Sequence, residues 1–170
     1  MQADALTWGQ GPRILEVFLE PTCPFSVKAF RKLDKLLEQA GEDRLTIKIR
    51  LQSQPWHMFS GVIVRCILAA STLEGGKNKA KAVMAAVAAH RAEFEFEHHA
   101  SGPNLDATPN DIIARLEGYS GVQLVDPRAG RRMILRAADF GVHARTVITR
   151  RFRRVRAAAR FSPENSSSLR

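Results

Sequence analysis

Residues 13–26 read Arg-Ile-Leu-Glu-Val-Phe-Leu-Glu-Pro-Thr-Cys-Pro-Phe-Ser, and this segment is the most informative about the fold. Its first eight residues are mostly apolar and partly β-branched, which predicts a buried strand over 13–20. Pro21 and Thr22 end that strand. From Thr22 to Ala40 the pattern becomes helical, with Thr22 as the expected N-cap and Pro24 in the first turn.

The predicted helix has one apolar face and is followed by a second strand. Apolar side chains recur three and four residues apart, at Val27, Phe30, Leu33, Leu36 and Leu37. Gly41 is the expected stop. Residues 45–51 then alternate between apolar and polar side chains, as a strand does. A strand, a crossover helix and a second strand predict a parallel βαβ unit.

A run of helices is predicted after the second strand. Residues 52–59 form a loop, and helices are expected over about 60–73, over 79–97 and from Thr108 to Glu117. Because these helices follow one another between sheet elements, the segment of about 60–118 is interpreted as a helical insertion.

Cys23 is the candidate nucleophile. At a helix N-terminus its sulfur faces unpaired backbone N–H groups and the positive end of the helix dipole, and both stabilise the thiolate. Ser26 lies one turn further on and is expected to donate a hydrogen bond to the sulfur. Two alternative hypotheses stay open. Cys23 is a buried structural cysteine, or the Ser26 hydroxyl pairs only with local backbone. Cys66 lies among apolar residues and is predicted to be a core residue.

This segment resembles the active site of the thioredoxin superfamily, and most closely its DsbA-like branch, which includes protein-disulfide isomerases and 2-hydroxychromene-2-carboxylate isomerases. The resemblance is carried by the strand, by Thr22-Cys23-Pro24-Phe25-Ser26 and by the amphipathic helix. It covers roughly residues 13–124. It implies an α/β, thioredoxin-like domain over 13–149 with the helical insertion, after an N-terminal lead of 1–12. Thr22, Pro24 and Phe25 then belong to the motif that activates Cys23.

Two features depart from the family pattern. Ser26 stands where the second cysteine of Cys-x-x-Cys would lie, so an intramolecular dithiol cycle through this motif is blocked. The resemblance then implies a monothiol route that is resolved by glutathione, as co-substrate, or by a partner thiol, with no bound cofactor. The family's cis-proline loop is best matched by residues 141–147, where Arg145 replaces the proline. A non-proline cis bond costs about 2.5–4 kcal/mol, so we expect an altered loop.

The groove around Cys23 is expected to include residues from two loops. Trp56 and His57 follow the second strand at the edge where binding residues of parallel sheets gather. Arg145 and Thr146 would contribute from the altered loop. A plain packing role for Trp56 is also left open.

The net charge of +9 comes entirely from the last part of the chain, because residues 125–170 hold 12 arginines and 3 acidic residues. We therefore expect the C-terminal strand-helix part to be degenerate or altered, either by divergence or by a shifted reading frame. The arginine-rich run in 150–170 is predicted to be a basic, disordered tail. A nucleic-acid partner is not predicted, because no binding motif surrounds the run.

Composition limits the remaining possibilities. No apolar run reaches the roughly 20 residues that cross a bilayer, and residues 1–12 lack the features of a secretory signal, so a cytoplasmic protein is expected. No metal site is predicted, since His90, His98 and His99 match no zinc spacing.

The leading hypothesis is a thiol–disulfide oxidoreductase or isomerase that acts through Cys23, with a thiol- or disulfide-containing protein or glutathione as partner. Two alternatives remain open. One is a non-catalytic thioredoxin-fold module that binds peptides or proteins, and the other is a glutathione-dependent transferase or isomerase.

Overall fold

The computed structural model describes residues 6–95 and 104–125 of the 170-residue chain. The predicted loop over 141–147, the remainder of the predicted domain up to 149 and the tail over 150–170 lie outside the described residues.

The sheet contains three strands in the order β1-β3-β2. They are β1 (Thr7–Trp8), β2 (Arg13–Leu19) and β3 (Leu45–Leu51). β2 and β3 are parallel and in register from Arg13 opposite Leu45 to Leu19 opposite Leu51. β1 lies within the predicted N-terminal lead and pairs antiparallel with β3.

Helices make up most of the remaining described structure. They are α1 (Pro24–Ala40), α2 (Ser60–Ser71), α3 (Gly76–Ala89), a 3₁₀ helix (Arg91–Phe94) and α4 (Pro109–Ser120). α1 connects the two parallel strands, so the predicted βαβ unit is confirmed. The later helices lie in the segment interpreted from the sequence as a helical insertion, and we refer to that segment as the insertion. None of the helices in the described residues is both long and apolar enough to span a bilayer.

The third predicted helix was misplaced at both ends. α3 begins at Gly76, three residues early, because glycine fits a close contact there: a Cβ on Gly76 would lie 2.1 Å from the Ser71 carbonyl oxygen. α3 ends at Ala89 instead of Glu97. Beyond the 3₁₀ helix, the Asn104 side-chain amide donates to the carbonyls of Glu93 and Glu95, which a continuing helix would have used itself.

Cys66 lies on α2 in the hydrophobic core, as predicted, and is 0% exposed. Its fully buried neighbours in this core come from α2, α3, α4 and β3, and they include Ile47, Ile63, Ile67, Val83, Val87, Ile112 and Leu116.

Burial of Cys66 makes the stability of the fold sensitive to alkaline pH. Burial raises the pKa of this thiol to about 12 from an ordinary value of 9.0. Between these two values the unfolded chain has released the proton and the folded chain has not, so the free energy of unfolding falls as the pH rises. By pH 10 the loss is about 1 kcal/mol.

Urea unfolding at pH 8 and pH 10 measures this effect against Cys66→Ala, which retains every other titrating group. The drop in unfolding free energy between the two pH values should be larger in the wild type. An equal drop in both proteins would contradict the expectation.

Candidate functional site

Cys23 lies at the junction of β2 and α1, where it is the N-cap of the helix. Its backbone is extended (φ −66°, ψ 128°), and its carbonyl oxygen accepts the N–H of Val27 at 2.9 Å. Its side chain makes no capping hydrogen bond and is half-buried. The sulfur therefore lies at the helix start without being used to satisfy the first turn.

The predicted N-cap role of Thr22 was wrong by one residue. Thr22 is 1% exposed, and its hydroxyl donates to both carboxylate oxygens of Glu20, at 2.9 and 3.0 Å. Glu20 is itself buried, at 5% exposed, and a buried carboxylate without a hydrogen-bond donor is costly in free energy. The N–H groups at the helix end can instead be hydrated, so the Thr22 hydroxyl bonds the carboxylate. Pro24 occupies the first turn as expected, and Phe25 beside it is 76% exposed.

Ser26 connects the end of β2 to the first turn of α1. Its hydroxyl oxygen accepts the backbone N–H of Glu20 at 3.2 Å. This bond supports the hypothesis that the Ser26 hydroxyl pairs with local backbone. The hydroxyl accepts in this bond, so its own hydrogen is not used. Within the described residues no hydrogen bond joins Ser26 to the Cys23 sulfur, so a catalytic role for Ser26 stays a prediction.

The loop after β3 lies at the same sheet edge as Cys23, because β2 and β3 are parallel and end side by side. Trp56 is 70% exposed and Met58 is 61% exposed. His57 between them is turned inward, with Nδ1 2.8 Å from Glu95 Oε1 and Nε2 3.8 Å from Glu20 Oε2. Glu95 Oε1 and His57 Nδ1 are as close as the two atoms of an ion pair, but they are not aligned for a hydrogen bond.

A cluster of polar side chains adjoins the turn that precedes Cys23, and we call it the Glu20 cluster: Glu20, Thr22, His57, Arg91 and Glu95. Arg91 Nε donates to the Thr22 carbonyl oxygen at 2.6 Å, and Arg91 Nη2 pairs with Glu95 Oε2. The insertion, through Arg91 and Glu95, is thereby bonded to the turn that holds Cys23.

Sequence reasoning missed Glu20, Arg91 and Glu95 as parts of the site. Two signals were present: an acidic residue at the end of an otherwise apolar strand, and an arginine and a glutamate four residues apart. Neither signal revealed that Arg91 would lie against a turn 69 residues earlier in the chain.

Arg145 and Thr146, the other predicted groove residues, lie outside the described residues. In the part of the chain that the structure describes, no three His, Cys, Asp or Glu side chains are grouped so that they could hold a metal ion. His90 instead stacks on Tyr119, with ring centroids 3.7 Å apart.

The two cysteines have opposite environments. Both are thiols, Cys66 in the core and Cys23 half-buried at the helix start. Among the described residues this arrangement leaves Cys23 as the thiol that a disulfide in solution can approach.

Comparison with known proteins adds one solved structure. No family model matches the chain, and no curated protein matches it significantly. The crystal structure is that of a "putative protein-disulfide isomerase" from Pseudomonas syringae; it is 68% identical in sequence, with a TM-score of 0.75. The match covers 86% of this chain and 82% of that one. At that identity and coverage, the chain belongs to the family of this Pseudomonas syringae protein, within the DsbA-related branch of thioredoxin-like proteins.

Proposed function

We propose that this protein is a monothiol disulfide isomerase in which Cys23 is the nucleophile. The observation that carries the proposal is the placement of Cys23: a half-buried thiol at the N-cap of α1, with a sulfur that makes no capping bond. Backbone N–H groups without partners lie at a helix N-terminus, and the thiolate is the form of a cysteine that attacks a disulfide. The relationship to a protein named as a disulfide isomerase points the same way.

The absence of a second cysteine in the motif selects isomerisation over net oxidation. The Cys23 thiolate attacks one sulfur of a substrate disulfide, forms a mixed disulfide and releases the other sulfur as a thiolate. Ser26 cannot displace the bound sulfur, and Cys66 is buried in the core. A thiolate of the substrate, or of glutathione, must therefore attack the mixed disulfide and release Cys23. When the substrate's own thiolate does so, a disulfide has moved and no electrons have been transferred overall.

Polypeptides are the substrates that the surroundings of Cys23 favour. Phe25, two residues further along the chain, and Trp56 and Met58 at the same sheet edge are all more than half exposed. Exposed apolar side chains next to a reactive group bind apolar side chains of a partner. We propose that they hold the segments that flank a substrate cysteine.

The test is mixed-disulfide formation with glutathione disulfide, followed by mass spectrometry at pH 6. In the folded protein Cys23 should gain one glutathione, at least about tenfold faster than a cysteine in an unfolded peptide of residues 18–28. Cys66→Ala should react equally well, and Cys23→Ala should gain no glutathione until denaturant is added.

A Cys23 that reacts no faster than the peptide cysteine would overturn the catalytic proposal. If such a protein still bound unfolded polypeptide, the non-catalytic binding module would be the better description.

A further inference from the structure

The peptide group between Thr22 and Cys23 is hydrogen-bonded at both ends. Its carbonyl oxygen, on Thr22, accepts from Arg91 Nε at 2.6 Å, and its N–H, on Cys23, donates to the Glu20 carbonyl oxygen at 3.1 Å. With both ends bonded, rotation of this peptide plane is restricted. The plane helps to fix the backbone of Cys23 and hence the direction of its Cα–Cβ bond, from which the sulfur projects.

Arg91 is itself held in place from the other side. Its Nη2 pairs with Glu95 Oε2, and the second oxygen of that carboxylate lies 2.8 Å from His57 Nδ1. The Glu95 side chain is 14% exposed and the Arg91 side chain 32%, so this pairing is partly shielded from water. A guanidinium is planar and offers several N–H donors in a rigid fork, which allows it to bond the carbonyl and the carboxylate together.

We propose that Arg91 is a positioning residue for Cys23: from the 3₁₀ helix of the insertion it holds the Thr22–Cys23 peptide in the orientation that disulfide attack needs. This inference rests on the proposed function, since it assumes that Cys23 attacks disulfides. Attack requires the thiolate to approach along the line of the S–S bond, and displacement by about 1 Å can cost two orders of magnitude in rate. The helical insertion thus contributes to the chemistry of a cysteine that lies in the βαβ unit.

The experiment measures the rate of mixed-disulfide formation with glutathione disulfide from pH 5 to pH 10 in wild type, Arg91→Met, Arg91→Lys and Arg31→Met. Arg31→Met is the matched control, because Arg31 Nη2 also donates to a backbone carbonyl, that of Ala88, at 2.6 Å. The plateau rate at high pH, where the thiol is fully ionised, reports on position rather than on ionisation. Protection of Cys66 from modification reports that the fold is intact.

We expect the plateau rate of Arg91→Met to fall by about tenfold with Cys66 still protected. Arg91→Lys should lie between this variant and the wild type, because an ammonium lacks the fork that bonds both partners. Arg31→Met should match the wild type. If Arg91→Met exposes Cys66, its fold is disturbed, and Arg91→Lys becomes the test of the positioning role. The plateau rate of Arg91→Lys should then lie at least about threefold below that of the wild type.

A plateau within twofold of wild type in the folded Arg91 variants would overturn the positioning role. That result leaves the proposed function standing as long as wild-type Cys23 reacts faster than a peptide cysteine. A slow wild-type Cys23 would instead remove the proposed function, whatever the variants do.

Discussion

Replacement of Cys23 by alanine should abolish disulfide isomerisation, reducing the rate to that seen without protein. The substrate is a synthetic peptide with three cysteines, one pair joined and one thiol unpaired, and chromatography follows the conversion of one pairing into another without added oxidant. Each turnover starts with attack by the Cys23 thiolate and ends when the peptide's own thiolate releases it. Removal of the attacking sulfur therefore removes every catalysed step.

The control for this loss is Cys66→Ala. Cys66 is 0% exposed, so its replacement should leave the isomerisation rate of the folded protein within about twofold of wild type. An unchanged rate in Cys23→Ala would contradict the assignment of the nucleophile. A loss in Cys66→Ala with the fold intact would indicate that the buried thiol takes part.

Ser26→Cys should convert the protein into a dithiol oxidoreductase. The new thiol lies one helical turn from Cys23 and can resolve a mixed disulfide within the molecule. Intramolecular attack by a well-placed group has a high effective concentration, so the lifetime of the Cys23–glutathione mixed disulfide should shorten by at least about a hundredfold. Mass spectrometry should then find a disulfide between Cys23 and the introduced thiol.

Ser26→Ala separates the new thiol from the lost hydroxyl. Both substitutions remove the Ser26 oxygen that accepts the Glu20 N–H at 3.2 Å. The mixed disulfide of Ser26→Ala should persist as long as that of the wild type. A persistent mixed disulfide in Ser26→Cys would show that the side chain at position 26 does not reach the Cys23 sulfur.

Local signals in the sequence were sufficient for the βαβ unit. The alternation of 45–51, the three- and four-residue spacing of apolar side chains in α1 and the glycine at 41 each act over a few residues, and all three predictions are confirmed. The boundaries of α3 were mispredicted because they depend on contacts with residues outside the helix. Gly76 lies against Ser71, and Asn104 takes the carbonyls beyond the 3₁₀ helix.

The candidate site divides in the same way. The position of Cys23 at the start of α1 and the burial of Cys66 follow from residue types and their spacing, and the sequence alone determined both. The sequence also determined that Ser26 rules out a dithiol cycle in the motif, since that depends only on which atom the side chain carries.

The polar side chains next to the Cys23 turn are brought there by tertiary packing. Glu20, His57 and the pair Arg91 and Glu95 come from three separate segments of the chain. Parallel strand pairing and the docking of the insertion bring these segments together. The same packing moved the N-cap from Thr22 to Cys23, because a buried Glu20 carboxylate takes the Thr22 hydroxyl. Short-range periodicity records which face of an element is apolar. It carries no information about which buried polar groups will meet, because these pairings depend on contacts between elements distant in sequence.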